Sequence, residues 1–244
     1  MKYGIKIFGY ENLNIYLKYL TNQPHIKILS IISNFEKRKY FNIAIEKIQN
    51  DIIEANTIVI DNISQINLKK NNLECKNIIF IKSSDFINSS ISENSESNYY
   101  IFNILYNYYR QKKLISYFKN INLINKINLL FPNSNNFYSK DDFLFDFVSY
   151  LINEFSYDIT LEKISKNEQY LNLSNKKIHI NILDTKNKNI SFSFDDLEKI
   201  ELESLDLSLE FFFNNTFLDI VENKANSKIF EIYNFKKFPN FQKI

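Results

Sequence analysis

The sequence predicts an α/β domain built on a parallel sheet, followed by an α+β domain with a mainly antiparallel sheet. Three observations predict it. Short apolar runs, continuous rather than alternating, recur through residues 5–81 with helix-period segments between them, the pattern of strands buried on both faces beneath helices. From residue 158 onward the runs alternate instead: Ile178, Ile180 and Ile182 interleave with Lys177, His179 and Asn181, as in strands with one face in a core and one in solvent. Between the two regions lies one long amphipathic segment, residues 141–155. We place the domain boundary near 120, giving an α/β domain at 1–120 and an α+β domain at 121–244.

Taken in order, residues 5–8 form the first strand. Segment 11–20 sets Leu13, Tyr16, Leu17 and Leu20 on one helical face, with Asn12 available as N-cap. Gln23, Pro24 and His25 break that helix, and IKILSIIS (26–33) is the second strand. FEKRKYFNIAIEKIQN (35–50) reads as a helix with Phe41, Ala44, Ile45 and Ile48 inward. TIVIDN (57–62) and NIIFIKSSDF (77–86) are the third and fourth strands, and the polar stretch 87–98 is a loop or linker. Residues 99–120 read as a helix, with Ile101, Ile104, Leu105 and Tyr108 in period and Arg110, Lys112 and Lys113 near its end. In 141–155, Phe143, Phe147, Tyr150 and Leu151 share a face. β-patterned pieces follow at 158–164, 169–174, 176–185, 189–195, 199–213, 217–223 and 228–235. Strands alternating with helices make the first domain Rossmann-like.

Composition narrows the partners. A net charge of +2 supplies no broad basic field, and the basic runs at 69–76 and 109–113 are short, so nucleic acid is not an expected partner. Cys75 is the only cysteine, which excludes an intrachain disulfide and a CxxC pair and suits a small buried hydrophobe. His25 and His179 have no second histidine at ligand spacing, so no metal is expected. Neither a secretory h-region nor an apolar run of membrane length is found, and the expectation is a soluble cytoplasmic protein with no membrane partner. The abundance of Asn, Ile, Lys, Phe and Tyr reads as codon drift in an AT-rich genome.

Candidate chemistry collects at strand ends. Gly4 and Gly9 are the only glycines. Gly9 can serve one tight turn after the first strand, but a full G-x-G-x-x-G phosphate loop is not present. Tyr10, Glu11 and Asn12 follow it, and Tyr10 and Glu11 would crowd a pyrophosphate, so a plain strand-to-helix turn is the competing reading. The second strand ends at Ser33 and Asn34 rather than at a ribose-binding acid. Asp61 ends the third strand, and Lys82 and Asp85 follow the fourth. Gly9, Tyr10, Asn12, Ser33, Asn34 and Asp61 form the candidate cofactor-binding set. Asp141 or Asp142 can cap the 141–155 helix, and Asp146, four residues after Asp142, repeats its charge on one face.

The order of these pieces resembles the Gfo/Idh/MocA family of sugar-modifying oxidoreductases. YGIKIFGYENLNIYLKYLTNQPHIKILSIIS (3–33) is similar to its strand, turn, helix and second strand, with Pro24 shortly before that second strand. DDFLFDFVSYLINEF looks like the helix opening the second domain, and LEFFFNNTFLDIVENK (209–224) like a strand pair turning over Asn214 and Asn215. The resemblance implies a Rossmann domain, an α+β domain whose open sheet mediates dimerisation, and hydride transfer between a nicotinamide and a sugar-like hydroxyl. It casts Lys82 as the lysine steadying the hydroxyl oxygen. It aligns Asp142 with the family's aspartate and Asp146 with its histidine, either one to relay the proton. The family's E-K-P has no match, and Glu11 and Ile15 stand where it uses small residues.

Two readings therefore stand level. One is a diverged NAD- or NADP-dependent oxidoreductase acting on a sugar or another small hydroxy or oxo substrate. The other is a non-catalytic Rossmann-like subunit, scaffold or sensor without cofactor. In either, the C-terminal sheet is the expected surface for self-association or a partner protein.

Overall fold

A computed structural model describes residues 3–9, 13–33, 39–40, 42–47, 53–61, 73–82, 84–85, 97–102, 105, 112–133, 138–195, 197, 199–202, 210 and 212–222. The chain divides into two compact units: Met1–Asn103 with Leu209–Ile232, and Ile104–Ser208 with Tyr233–Ile244.

The first unit begins with β1 (Tyr3–Phe8), α1 (Leu13–Thr21) and β2 (Ile26–Ile32). β3 (Lys39–Tyr40), β4 (Ile43–Glu46), β5 (Ile53–Glu54) and β6 (Thr57–Ile60) follow. β7 (Leu73–Glu74), β8 (Asn77–Phe80) and β9 (Asn98–Ile101) complete it. Seven strands form one sheet in the order β3-β4-β2-β1-β6-β8-β9, while β5 and β7 pair separately. Every pairing in the large sheet is parallel except β3 with β4. Its parallel strands taken in chain order run 3-2-1-4-5-6, the doubly wound order of dinucleotide-binding sheets. The apolar runs form its core: Ile5, Ile7, Phe8, Ile58, Val59, Ile60, Ile78, Ile79 and Phe80 are all buried.

Two expected helices take other forms. At 35–50 the described residues form the β3–β4 hairpin, because Asn42 adopts φ 64° and turns the chain so that Tyr40 pairs with Ile43; asparagine tolerates that left-handed conformation. Phe41 and Ile48 lie outside the described residues. At 99–120 the first residues belong to β9, parallel to β8, and the helix that does form, α2, covers Lys112–Lys119.

The β reading of 210–221 is also corrected. Phe212–Thr216 forms a π-helical turn that runs directly into a helix at Phe217–Val221. A short apolar run has no period long enough to separate strand from buried helix. Phe212, Phe213 and Phe217 are fully buried, each contributing about 1.5–3 kcal/mol by burial. Phe212 meets Phe102, and Phe213 stacks on Tyr19. The end of this helix is held by a buried amide: Asn77 Nδ2 donates to the Ile220 carbonyl at 3.2 Å, and Asn98 Nδ2 donates to Asn77 Oδ1 at 3.4 Å.

The second unit contains α2, a 3-10 turn (Ile121–Leu123), β10 (Lys126–Pro132), α3 (Lys140–Phe155), and β11 (Ile159–Lys163). β12 (Glu168–Leu173), β13 (Lys176–Thr185), β14 (Ser191–Phe194) and β15 (Ile200–Glu201) follow. The sheet order is β11-β12-β13-β10-β14-β15. All its pairings are antiparallel except β10 with β13. The sequence reading did not identify β10 and so missed this central parallel pair. Phe118 of α2, Phe143 and Phe147 of α3, and Phe192 of β14 pack as one aromatic cluster.

Asn77→Val removes the donor to Ile220 and leaves that carbonyl buried. We expect about 1–3 kcal/mol lost in urea denaturation, with Asn98→Ala costing less; equal small losses would show that the amide does not hold the helix.

Candidate functional site

The edge that could hold a ligand in the first unit is made by backbone pairing. One residue past β1, β2, β6 and β8, an N–H donates to the last carbonyl of a neighbouring strand. Gly9 donates to Ile32 at 3.0 Å, Ser33 to Glu46 at 3.0 Å, Asp61 to Phe8 at 2.8 Å and Ile81 to Ile60 at 3.0 Å. β1 lies between β2 and β6, where the strand order reverses, and such a reversal opens the crevice that ligands enter in open α/β sheets. Gly9, Ser33 and Asp61 are thus brought to one rim, and all three are buried. Lys82 is half-buried one residue beyond Ile81, and the Asp85 N–H closes a turn onto its carbonyl at 3.2 Å. Tyr10, Asn12 and Asn34 lie outside the described residues.

The rim fits a dinucleotide in one respect and departs in another. Gly9 has φ 92° and no side chain at the crest of β1, which suits close approach of a pyrophosphate. At the end of β2 Ser33 takes the place of a ribose-binding carboxylate, so a ribose hydroxyl would meet a neutral hydroxyl there.

Asp142 and Asp146 belong to α3 in the second unit. Ser139, not an aspartate, is the N-cap of that helix. Its hydroxyl accepts from the Asp142 N–H at 3.0 Å and donates to Asp142 Oδ2 at 2.6 Å. The Ser139 N–H donates to the same carboxylate at 3.0 Å. Asp142 thus closes a capping box from the third helical position. Asp146 is fully buried and accepts a hydrogen bond from the hydroxyl of Tyr138, itself fully buried. The two carboxylates share a helix side, and each is engaged by a hydroxyl from the segment leading into α3. Ser139-x-x-Asp142 was readable as a capping motif. Tyr138 had no local signal, since its link to Asp146 spans eight residues.

Other reactive side chains have different occupations. Burial pushes the Cys75 thiol up to about 11, against a smaller lowering by its hydrogen bond with Ser97, so at neutral pH it is a poor nucleophile. His179 Nε2 lies 3.0 Å from Glu168 Oε1 on the outer face of the second sheet, off the line of a hydrogen bond. Among the described residues no three His, Cys, Asp or Glu side chains gather as a metal site.

No family model matches the chain, and no curated protein matches it by sequence. Solved structures do match over nearly its full length. Scyllo-inositol dehydrogenase from Lactobacillus casei with bound NAD(H) and scyllo-inositol is 12% identical, with TM-score 0.53 over 93% of this chain and 89% of its own. Myo-inositol 2-dehydrogenase from Lactobacillus plantarum is 8% identical, with TM-score 0.55 over 92% and 89%. The WlbA (WbpB) dehydrogenase from Thermus thermophilus, in complex with NAD and UDP-GlcNAcA, is 11% identical, with TM-score 0.53 over 92% and 89%. The fold is that of oxidoreductases of the Gfo/Idh/MocA type.

Tyr138→Phe deletes the hydroxyl that serves Asp146. We expect a loss of about 1.5–3 kcal/mol in chemical denaturation, while Asp146→Asn, which can still accept through its amide oxygen, costs less. The reverse ranking would mean that the phenol does not serve the carboxylate.

Proposed function

We propose that the chain is an oxidoreductase using NAD or NADP to interconvert a hydroxyl and a carbonyl on a sugar- or inositol-like substrate. The observation that supports this best is the rim at the strand-order reversal, where Gly9, Ser33 and Asp61 meet and Gly9 holds a glycine-only conformation. The inositol and nucleotide-sugar dehydrogenases that share the fold point to the same substrate class. The nicotinamide, when bound, supplies or accepts the hydride. Gly9, Ser33 and Asp61 would hold the dinucleotide, with Tyr10, Asn12 and Asn34 completing the set. Lys82 would orient the substrate oxygen and offset the negative charge that grows on it. Asp142 and Asp146 are the relay candidates. Any proton that either takes would pass beside the hydroxyl already bonded to it, from Ser139 or Tyr138. The mechanism needs no metal to polarise the oxygen, because a cationic lysine can do so.

The test is fluorescence titration with NADH and NADPH, followed by turnover on inositols and sugars. Saturable binding of one cofactor is expected. Lys82→Ala should keep that binding and lose about 10²–10⁴-fold in turnover. Failure of both cofactors to bind would overturn the reading.

We also propose that two copies associate through the outer face of the second sheet. Leu130 and Leu183 stand opposite each other across β10 and β13, and Leu183 is 44% exposed. Around them lies a flat polar ladder in which Asn181 donates to Asn128 and Asn128 to Ser193. Lys177 sits over the Tyr170 ring at 4.2 Å. Leu183→Glu is expected to shift the sedimentation coefficient from dimer to monomer; a wild-type protein that sediments as a monomer would refute the association. Among the described residues no helix is long and apolar enough to cross a membrane.

A further inference from the structure

The second unit holds a cleft of about 410 Å³, and of the residues named in the redox reading only Ser139 lines it. Its floor is Phe131 and Pro132 at the end of β10. Its walls carry Lys140 and Asp141 from the start of α3, Lys163 and Lys166 from the β11–β12 hairpin, and Asp184 from β13. The volume falls within the range of small-molecule sites, and an apolar floor with a few convergent polar groups is their usual composition.

The charges in the cleft are unevenly placed. Lys140 Nζ lies 2.8 Å from Asp184 Oδ1 and 3.2 Å from Asn167 Oδ1. Lys163 Nζ lies 3.5 Å from Asp141 Oδ1, a looser pair. Lys166 has no carboxylate within ion-pair distance among the described residues. The paired lysine side chains are only 16% and 25% exposed, whereas Asp184 and Asp141 are 47% and 69% exposed. These two lysines therefore sit deeper than their partner carboxylates, while Lys166 is exposed at the cleft's edge. A carboxylate well bathed in water is weakly held by its lysine and is readily exchanged for a better-placed acceptor. Three lysines against two aspartates leave one positive charge over. A neutral polyol would gain nothing from that excess, and a cation would be repelled by it.

We infer that this cleft binds an organic anion of sugar size, its carboxylate or phosphate group taken by Lys166 and Lys163 with Lys140 behind them. The anionic group adds to Lys166, which has no carboxylate to surrender among the described residues. It draws Lys163 from the loose Asp141 pair, and the ligand's carbon skeleton lies on Phe131 and Pro132. Asp184 competes with the ligand for Lys140. The site lies wholly within the second unit and does not depend on the hydride-transfer reading.

The test is calorimetric titration of the full chain, without nicotinamide, with D-glucuronate, glucose 6-phosphate and uncharged glucose. At least one anion is expected to bind saturably and more weakly as salt rises, and the tighter of the two identifies carboxylate or phosphate as the group read. Lys166→Ala, at an exposed position, should weaken binding about tenfold, the equivalent of one charge-assisted contact. Asp184→Asn should strengthen binding by removing the competitor, a direction that general loss of structure cannot produce. The inference is overturned if neither anion binds, if glucose binds as tightly, or if these two substitutions leave the affinity unchanged. A nicotinamide titration run separately reads the redox proposal, so the two fail independently.

Discussion

The row of backbone hydrogen bonds just past the parallel strands is the constraint on which the first unit depends. From Ser33 through Gly9, Asp61 and Ile81 to Phe102, the N–H after each strand is spent on a neighbour's terminal carbonyl. Buried backbone groups left unpaired would each cost as much as a lost hydrogen bond, so this row fixes the stagger of the strands and the height at which each loop departs. None of these bonds requires a particular side chain. Bonds of this kind are compatible with many sequences, and the solved structures that share the fold at TM-scores above 0.5 are only 8–12% identical to this chain.

The same distinction explains what the sequence made legible. Continuous apolar strands such as Thr57–Ile60 and Asn77–Phe80 announce themselves because burial on both faces leaves no polar positions. Helix α3 was legible from its period, although the resemblance made it the opening helix of the second domain whereas α2, the 3-10 turn and β10 precede it in the second unit. What failed were the short segments. Residues 39–46 carry apolar residues at spacings that fit a helix as well as a hairpin, and the decision falls to Asn42, whose left-handed turn cannot be read from periodicity. Phe212–Val221 lost its strand assignment because tertiary packing against Phe102 and Tyr19 rewards a compact helical turn. Asparagine abundance, read as compositional drift, also does specific work: Asn77 and Asn98 open neighbouring strands and form an amide chain that ends on the Ile220 carbonyl.

Of the candidate site residues, Gly9, Ser33, Asp61 and Lys82 could be set just past their strands from sequence because those strands were read correctly. The carboxylates of α3 were found, but what they bond to was not. Like charges four residues apart destabilise a helix by a few tenths of a kcal/mol when solvated, and burial would enlarge that penalty. The structure meets it by giving each carboxylate its own hydroxyl, Ser139 for Asp142 and Tyr138 for Asp146. Both hydroxyls lie in the few residues before the helix, so the segment that starts α3 also sets the electrostatics of its first two turns. A change in that segment alters the cap, the carboxylates and the adjoining lysine cleft together.

The scarcity of glycine sharpens the meaning of Gly9. Elsewhere this chain accepts positive φ without glycine: Asn42 at 64°, Ser156 at 54° and Asp195 at 47°. Those angles fall in or near the small left-handed well open to L-residues. Asp195 also gains from its position, accepting from the N–H groups of Asn125 and Lys126 at 2.9 and 2.8 Å. Gly9 stands at 92°, beyond that well, where a Cβ is strained whatever the residue. Gly4, the other glycine, is under a weaker constraint: a Cβ there would approach Leu29 Cδ1 to 2.8 Å, but that is the tip of an exposed side chain that can shift. A chain that fills ordinary left-handed turns with Asn, Ser and Asp thus retains glycine where φ lies outside their reach, at the crest of β1 between β2 and β6. The backbone bond from Gly9 to Ile32 holds that residue in the sheet, so the one described glycine with a positive φ stands at the end of β1, the strand at which the strand order reverses.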